Sequence, residues 1–245
     1  MSTSDTPTVQ RPGLSNVVDI IIAPGAAFAR IREIPTWGWA LLAASVLGIA
    51  GALLALPASL HALEVSGPAL YGSNPAVAQL PADKQPEMIA RMISFGRVGI
   101  EIQSFLIPIF LLIGGLFSAV VMLIANAISR GDGSFKRFFA LAVTVSVVTA
   151  IGLFLNGVIA VVRGPASYET MQSVQGALPS LGLLAPGAGH KLAAFLSALN
   201  VTALWATALT ALGMVSVGHV KPPVAWTAAI LMLLAGASLL TMFVQ

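Results

Sequence analysis

Five long apolar runs, Trp37–Leu60, Phe105–Ile128, Phe138–Val162, Leu192–Gly218 and Pro223–Val244, contain no ionisable side chain. A helix needs about 20 consecutive apolar residues to cross the hydrocarbon core of a bilayer, and each run reaches that length. The expected fold is therefore all-α: a polytopic membrane helical bundle with five transmembrane helices. Charges inside a membrane mark pumps, relays and ion paths. Their absence from all five runs argues against carboxylate-based ion coupling.

Only 9% of the 245 residues are charged, against about 25% in soluble domains. The runs occupy about half the chain and leave no room for a separate soluble domain of ordinary size. Lys and Arg number twelve against nine Asp and Glu. No run of five basic residues occurs, so nucleic-acid binding has no electrostatic footprint. The chain has no cysteine, which excludes disulfides and thiolate metal sites. His61, His190 and His219 are expected in different loops, without metal-ligand spacing. Walker, HExxH and GxSxG motifs are absent, and no serine stands beside a suitable histidine and acid. Neither metal, cofactor nor enzymatic activity is expected. The first run follows a lead containing Asp19 and Glu33 and exceeds the 7–15 apolar residues of a cleavable signal. It reads as a retained span.

Residues 1–12 are rich in Ser, Thr, Pro and Gln and are expected to be disordered. Residues 13–245 read as one membrane domain. Leu14, Val17, Val18, Ile21 and Ile22 lie at i, i+3, i+4, i+7 and i+8, one face of a helix. Pro24 stops that helix and can open another, because its missing N–H is unneeded in a first turn. Phe28 and Ile31 share the next apolar face, beside Arg30, Arg32 and Glu33. The segment 14–34 thus predicts two short amphipathic helices, lying at the membrane surface, packing on the bundle, or both. Trp37 and Trp39 mark the entry to the first span. Ala40, Ala44, Gly48 and Ala52 form a small-residue ladder that lets another backbone approach.

The longest connection, 61–102, carries four prolines and becomes helical from about Glu87. Glu87–Arg91 and Arg97–Glu101 read as i, i+4 pairs. This helix is expected to continue into the second span with a kink at Pro108. A tight hairpin follows at 129–137, with Ser134 placed to cap the third span. The loop 163–191 predicts a surface helix near 167–177. The short connection 219–223 makes the last two spans antiparallel neighbours.

With the N-terminus in the cytoplasm, the inner side holds Arg11, Arg30, Arg32, Arg130, Lys136, Arg137 and Lys221. Five basic residues, Lys84, Arg91, Arg97, Arg163 and Lys191, fall on the other. The positive-inside rule then predicts the N-terminus inside and the C-terminus in the periplasm. Asn126, Asn156, Asn200, Thr202, Thr207 and Thr210 fall in or near spans and read first as hydrogen-bonding links between helices. The sharper reading is a polar path for a solute or lipid headgroup, with Asn200, Thr207 and Trp205 its first candidates. Asn200 and Thr207 are seven apart, on one helix face. Arg97 and Glu101, at the outer end of the second span, are a local pair or a contact to a headgroup or solute.

The lead VVDIIIAPGAAFARIREIPTWGWALL, the middle GDGSFKRFFALAVTVSVV and the end LSALNVTALWATALTALGM resemble a bacterial member of the YIP family. Its eukaryotic relatives are the Ypt/Rab-interacting membrane proteins. The resembling elements are Pro24, Phe28, Ile31 and Pro35 before the first span, the Gly-Ser-Phe-Lys turn at 133–136, and Asn200–Trp205. Bacterial members often have Asp where Asn200 stands, so this site is less charged here. The resemblance implies five spans, a cytoplasmic N-terminal region and a C-terminus across the membrane. Eukaryotic relatives are associated with Rab GTPases and vesicle transport, but no Rab-specific motif transfers. The expected role is non-enzymatic: membrane organisation or scaffolding in the inner membrane. Its partners would be membrane lipids and another membrane protein or a second copy of itself. The alternative is a transporter, channel or lipid-moving protein.

Overall fold

The computed structural model describes residues 12–185, 187 and 189–241. Of residues 1–12, expected to be disordered, 1–11 lie outside the described residues and Pro12 opens α1 instead. Eleven α-helices follow in order: α1 Pro12–Ile22, α2 Pro24–Glu33, α3 Gly38–Gly72, α4 Pro75–Ala78, α5 Gln85–Phe105, α6 Ile107–Ser129, α7 Phe135–Arg163, α8 Met171–Gln175, α9 His190–Ala198, α10 Val201–Gly218 and α11 Pro222–Thr241. Five of them, α3, α6, α7, α10 and α11, are long and apolar enough to cross a membrane. No strand occurs among the described residues, only an isolated bridge between Ser180 and Asn200.

The middle span is the centre of the bundle. The most apolar window of α7 is 61% buried, against 17–39% for the other four. It packs against α3, α6 and α10. Its core face includes Phe138, Leu141, Val143 and Val147, all fully buried. The outer helices leave large apolar residues such as Val46, Ile113, Phe117 and Leu231 more than half exposed. In water that pattern would be an aggregation liability; against hydrocarbon it costs nothing.

Where α3 crosses α7 the two backbones touch. A methyl group added at Gly51 would stand 2.5 Å from the Leu153 carbonyl oxygen and 2.7 Å from the Phe154 Cα. One added at Gly157 would collide with the Gly51 carbonyl oxygen. The expected small-residue ladder holds at Ala40, Ala44 and Gly48, all buried, then turns to Gly51 and Ala58. Ala52 is only partly buried. A strict four-residue step drifts off a helix of 3.6 residues per turn, so the contact face moves back by one residue.

Three span boundaries differ from the sequence reading. The helix that carries the first span does not end at Leu60. It runs to Gly72, over 35 residues, about 52 Å at 1.5 Å per residue, well beyond a hydrocarbon core of about 30 Å. His61 is therefore helical rather than in a loop. The second span is not one kinked helix with 85–105. The chain breaks at Leu106, and Pro108 lies in the first turn of α6, where a missing N–H is harmless. The fourth span, expected over 192–218, is interrupted at Leu199–Asn200, leaving α9 as a separate helix. The expected 167–177 helix shortens to α8, with a 3₁₀ turn at Pro165–Ser167 before it.

Candidate functional site

At the end of the bundle where α1 and α2 lie, three connections meet. Asn126, 7% exposed, organises the α6–α7 turn. Its Nδ2 donates to the carbonyls of Gly131 and Gly133 at 3.4 and 3.3 Å, and its Oδ1 accepts from Gly133 N–H at 3.1 Å. Asp132 N–H donates to the Gly218 carbonyl at 3.0 Å, and Lys221 N–H to Ser129 Oγ at 2.6 Å. The two hairpins are thereby joined. The carboxylate of Asp132 then faces His219 Nδ1 at 3.0 Å and Arg32 of α2 at 3.6 Å. Desolvation pushes its carboxyl up, but the hydrogen bond from His219 and the charges of His219, Arg32 and Arg137 outweigh it and hold the value below 3.8. Asp132 was not singled out by sequence reasoning. The Gly-Asp-Gly turn was the available signal. Ser134 caps α7 as expected, accepting from Arg137 N–H at 3.4 Å.

The lead helices pack on the bundle: α1 against α3 and α7, α2 against α10 and α7. Ile20, Phe28 and Ile31 are buried, and so is Asn16 at 1% exposure. Arg30 Nε donates to Asn16 Oδ1 at 2.9 Å, and its guanidinium pairs with Asp19. This clamp fixes which way α1 faces. The buried side is Gly13, Asn16 and Ile20. The predicted stripe points the other way: Leu14, Val18, Ile21 and Ile22 are 42–72% exposed, while Val17 is partly buried against the core.

The structure does not bring the sequence candidates together. Asn200 is not on a helix face with Thr207. It stands before α10 as its N-cap, its Oδ1 accepting from Ala203 N–H at 2.9 Å and Thr202 Oγ1 at 2.8 Å. Thr207 Oγ1 donates to the Ala203 carbonyl of its own helix at 2.8 Å. Trp205 is 43% exposed. Arg97 does not pair with Glu101. It reaches Glu64 on the projecting part of α3, at 3.8 Å with both side chains more than half exposed, while Glu87–Arg91 forms as expected at 3.3 Å. Both are surface pairs of small energetic weight.

Two cavities do lie between the helices. The larger, about 490 Å³, runs between α6, α7, α10 and α11. Its walls are mostly small, including Gly114, Ala142 and Ala206, with hydroxyls from Ser118, Ser146, Thr149, Thr207 and Thr210. The smaller, about 280 Å³, lies nearer the opposite end, under the Leu106 break, with Ser59, Gln103, Ser104, Asn156 and Gln175 among its lining. Phe110 borders both. Asn156 Nδ2 donates to the Val174 carbonyl at 2.8 Å, but its Oδ1 is buried without a donor. Such a group typically costs about 1–3 kcal/mol. No cluster of three His, Cys, Asp or Glu side chains suited to a metal occurs among the described residues.

The Yip1 domain matches residues 18–244. The membrane protein YknW of Bacillus subtilis (strain 168) is 25% identical over 224 residues, which cover 91% of this chain and 86% of that protein. No solved structure matches.

Proposed function

The chain belongs to the Yip1 domain family, and from that premise we propose that it is a non-enzymatic inner-membrane protein that organises lipid and protein neighbours. The observation that carries this reading is the two-sided α1. Its Asn16–Ile20 side is buried, and Arg30 ties it to α2. Its Leu14, Val18, Ile21 and Ile22 side faces outward, as an interfacial helix would lie with its apolar face in the acyl boundary. The basic side chains of α2 and the 130–137 segment sit at that same end and favour the anionic cytoplasmic leaflet. The N-terminus is then cytoplasmic and the C-terminus periplasmic. The partners are membrane lipids together with another membrane protein or a second copy of the chain.

Photo-crosslinking in cells from positions 14, 18 and 21 should give lipid adducts, and from the outer faces of α6 and α11 one reproducible protein adduct. Absence of any reproducible protein adduct would sink the scaffold reading. Because the chain has no native cysteine, Ser134→Cys tests the orientation directly. Its labelling by an impermeant reagent added outside would reverse the topology. The open cleft between α6, α7, α10 and α11 favours a second reading, a lipid-moving protein. Reconstituted liposomes should then show lipid movement that Thr207→Leu reduces.

A further inference from the structure

We infer that the two cavities are a single site for a neutral, hydroxyl-bearing amphiphile such as a diacylglycerol, with its head in the smaller cavity and its hydrocarbon in the larger. The inference rests on the cavities of the lipid-moving reading but holds whether or not the lipid is moved.

The two spaces adjoin and are aligned in depth. Along α7 their lining is one continuous stripe: Ala142, Val145, Ser146 and Thr149 face the larger cavity, and Leu153 and Asn156 the smaller. Those steps of three and four residues keep one helix face. Phe110 stands at the junction on α6. The larger cavity extends on α6 from Phe110 to Met122, about 18 Å at the helical rise. It is an open cleft rather than an enclosed channel, and its lining is mostly apolar. A methylene chain, touching its walls at about 3.5–4.0 Å between carbons, fits.

The smaller cavity supplies the complementary end. Counting from Phe138, the first residue past Lys136 and Arg137, Asn156 lies about 27 Å along α7, near the far boundary of a hydrocarbon core of about 30 Å. That is just inside the far interface. Gln103 and Gln175 are exposed at its rim, and the Asn156 carboxamide lines its wall. Neither cavity is lined by Asp, Glu, Lys, Arg or His. A phosphate or carboxylate there would be buried without a counter-charge, which is strongly unfavourable. Hydroxyl groups both donate to and accept from carboxamides. The lining therefore selects a neutral head with O–H donors and a hydrocarbon tail.

The test uses the full chain in vesicles containing a photoactivatable diacylglycerol or, separately, a phosphatidic acid with the same photoactivatable chain. Adducts are mapped by peptide mass spectrometry. The neutral probe should label α6, α7, α10 and α11 about tenfold more than the anionic probe, a difference of about 1.4 kcal/mol. Thr149→Phe should fill the cleft and abolish the preference, and Gln103→Leu, on the exposed surface, should reduce it without disturbing packing. Equal labelling by both probes, unchanged in both variants, would mean annular lipid only and would overturn the site. Full competition by free glycerol would overturn the chain assignment. Preferential labelling with no lipid movement in liposomes would leave the site standing and sink the lipid-moving reading alone.

Discussion

Replacing Gly157 by alanine should be among the most damaging single-methyl additions in the bundle. The new methyl meets the Gly51 carbonyl, and a methyl at Gly51 stands 2.5 Å from the Leu153 carbonyl oxygen where ordinary contact begins at 3.4 Å. These neighbours are backbone and cannot rotate away. The helices must separate by about 0.9 Å for a methyl at Gly51 and by somewhat more for one at Gly157, and a gap of about 0.5–1 Å forfeits a quarter to a half of each contact's dispersion energy. Overpacking of this kind costs about 1–3 kcal/mol, occasionally more. The same separation relieves both sites, so Gly51→Ala with Gly157→Ala should cost much less than the two singles added together, the coupling expected of residues in contact. Unfolding midpoints in mixed micelles measure this. Gly99→Ala is the control, because a Cβ there meets nothing within 4 Å and alanine favours a helix over glycine by up to about 1 kcal/mol. A Gly157→Ala midpoint equal to wild type, or strict additivity in the double variant, would refute the backbone-contact argument.

Asn126→Ala should destabilise the protein by about 1 kcal/mol, since it removes the partner of the Gly133 N–H and of two carbonyls in a half-buried turn, and hydrogen exchange at 131–133 should rise with it. The Asp132 carboxyl should titrate below 3.8 and move upward in His219→Asn, a change that keeps a residue tolerant of the left-handed conformation at φ 48°. Carboxylate NMR reads this, and an unmoved titration would show that His219 does not hold the charge. The sign follows from the direction of the shift: this contact stabilises above the unfolded carboxyl's pKa and is lost as pH falls through the lowered folded value.

The spans were legible because uncharged runs of bilayer length admit few alternatives. Their ends were not. The run 192–218 is apolar throughout, and the break at Asn200 shows only through the N-cap preference of asparagine, a signal that an asparagine inside a hydrophobic stretch conceals. Pro108 was visible, but a proline near a helix start and one inside a helix read alike until the break at Leu106 is known. Arg97 had a local partner in Glu101 and a distant one in Glu64. Only the crossing of α3 and α5 decides between them. The apolar stripe of α1 was read correctly as a stripe, yet nothing in its period says that it faces away from the bundle. That depends on Asn16 and Arg30 meeting across the α1–α2 turn. The two cavities were invisible, since their walls are drawn from many helices far apart in the chain.

The orientation of α1 is where the account is most exposed. Single cysteines from 13 to 22, spin-labelled in the reconstituted protein, report oxygen and nickel-chelate accessibility residue by residue. The account predicts oxygen-dominated maxima at 14, 18, 21 and 22 and minima of both at 16 and 20. Maxima at 16 and 20, or nickel-chelate access equal to oxygen access along the Leu14–Val18–Ile21 stripe, would contradict it.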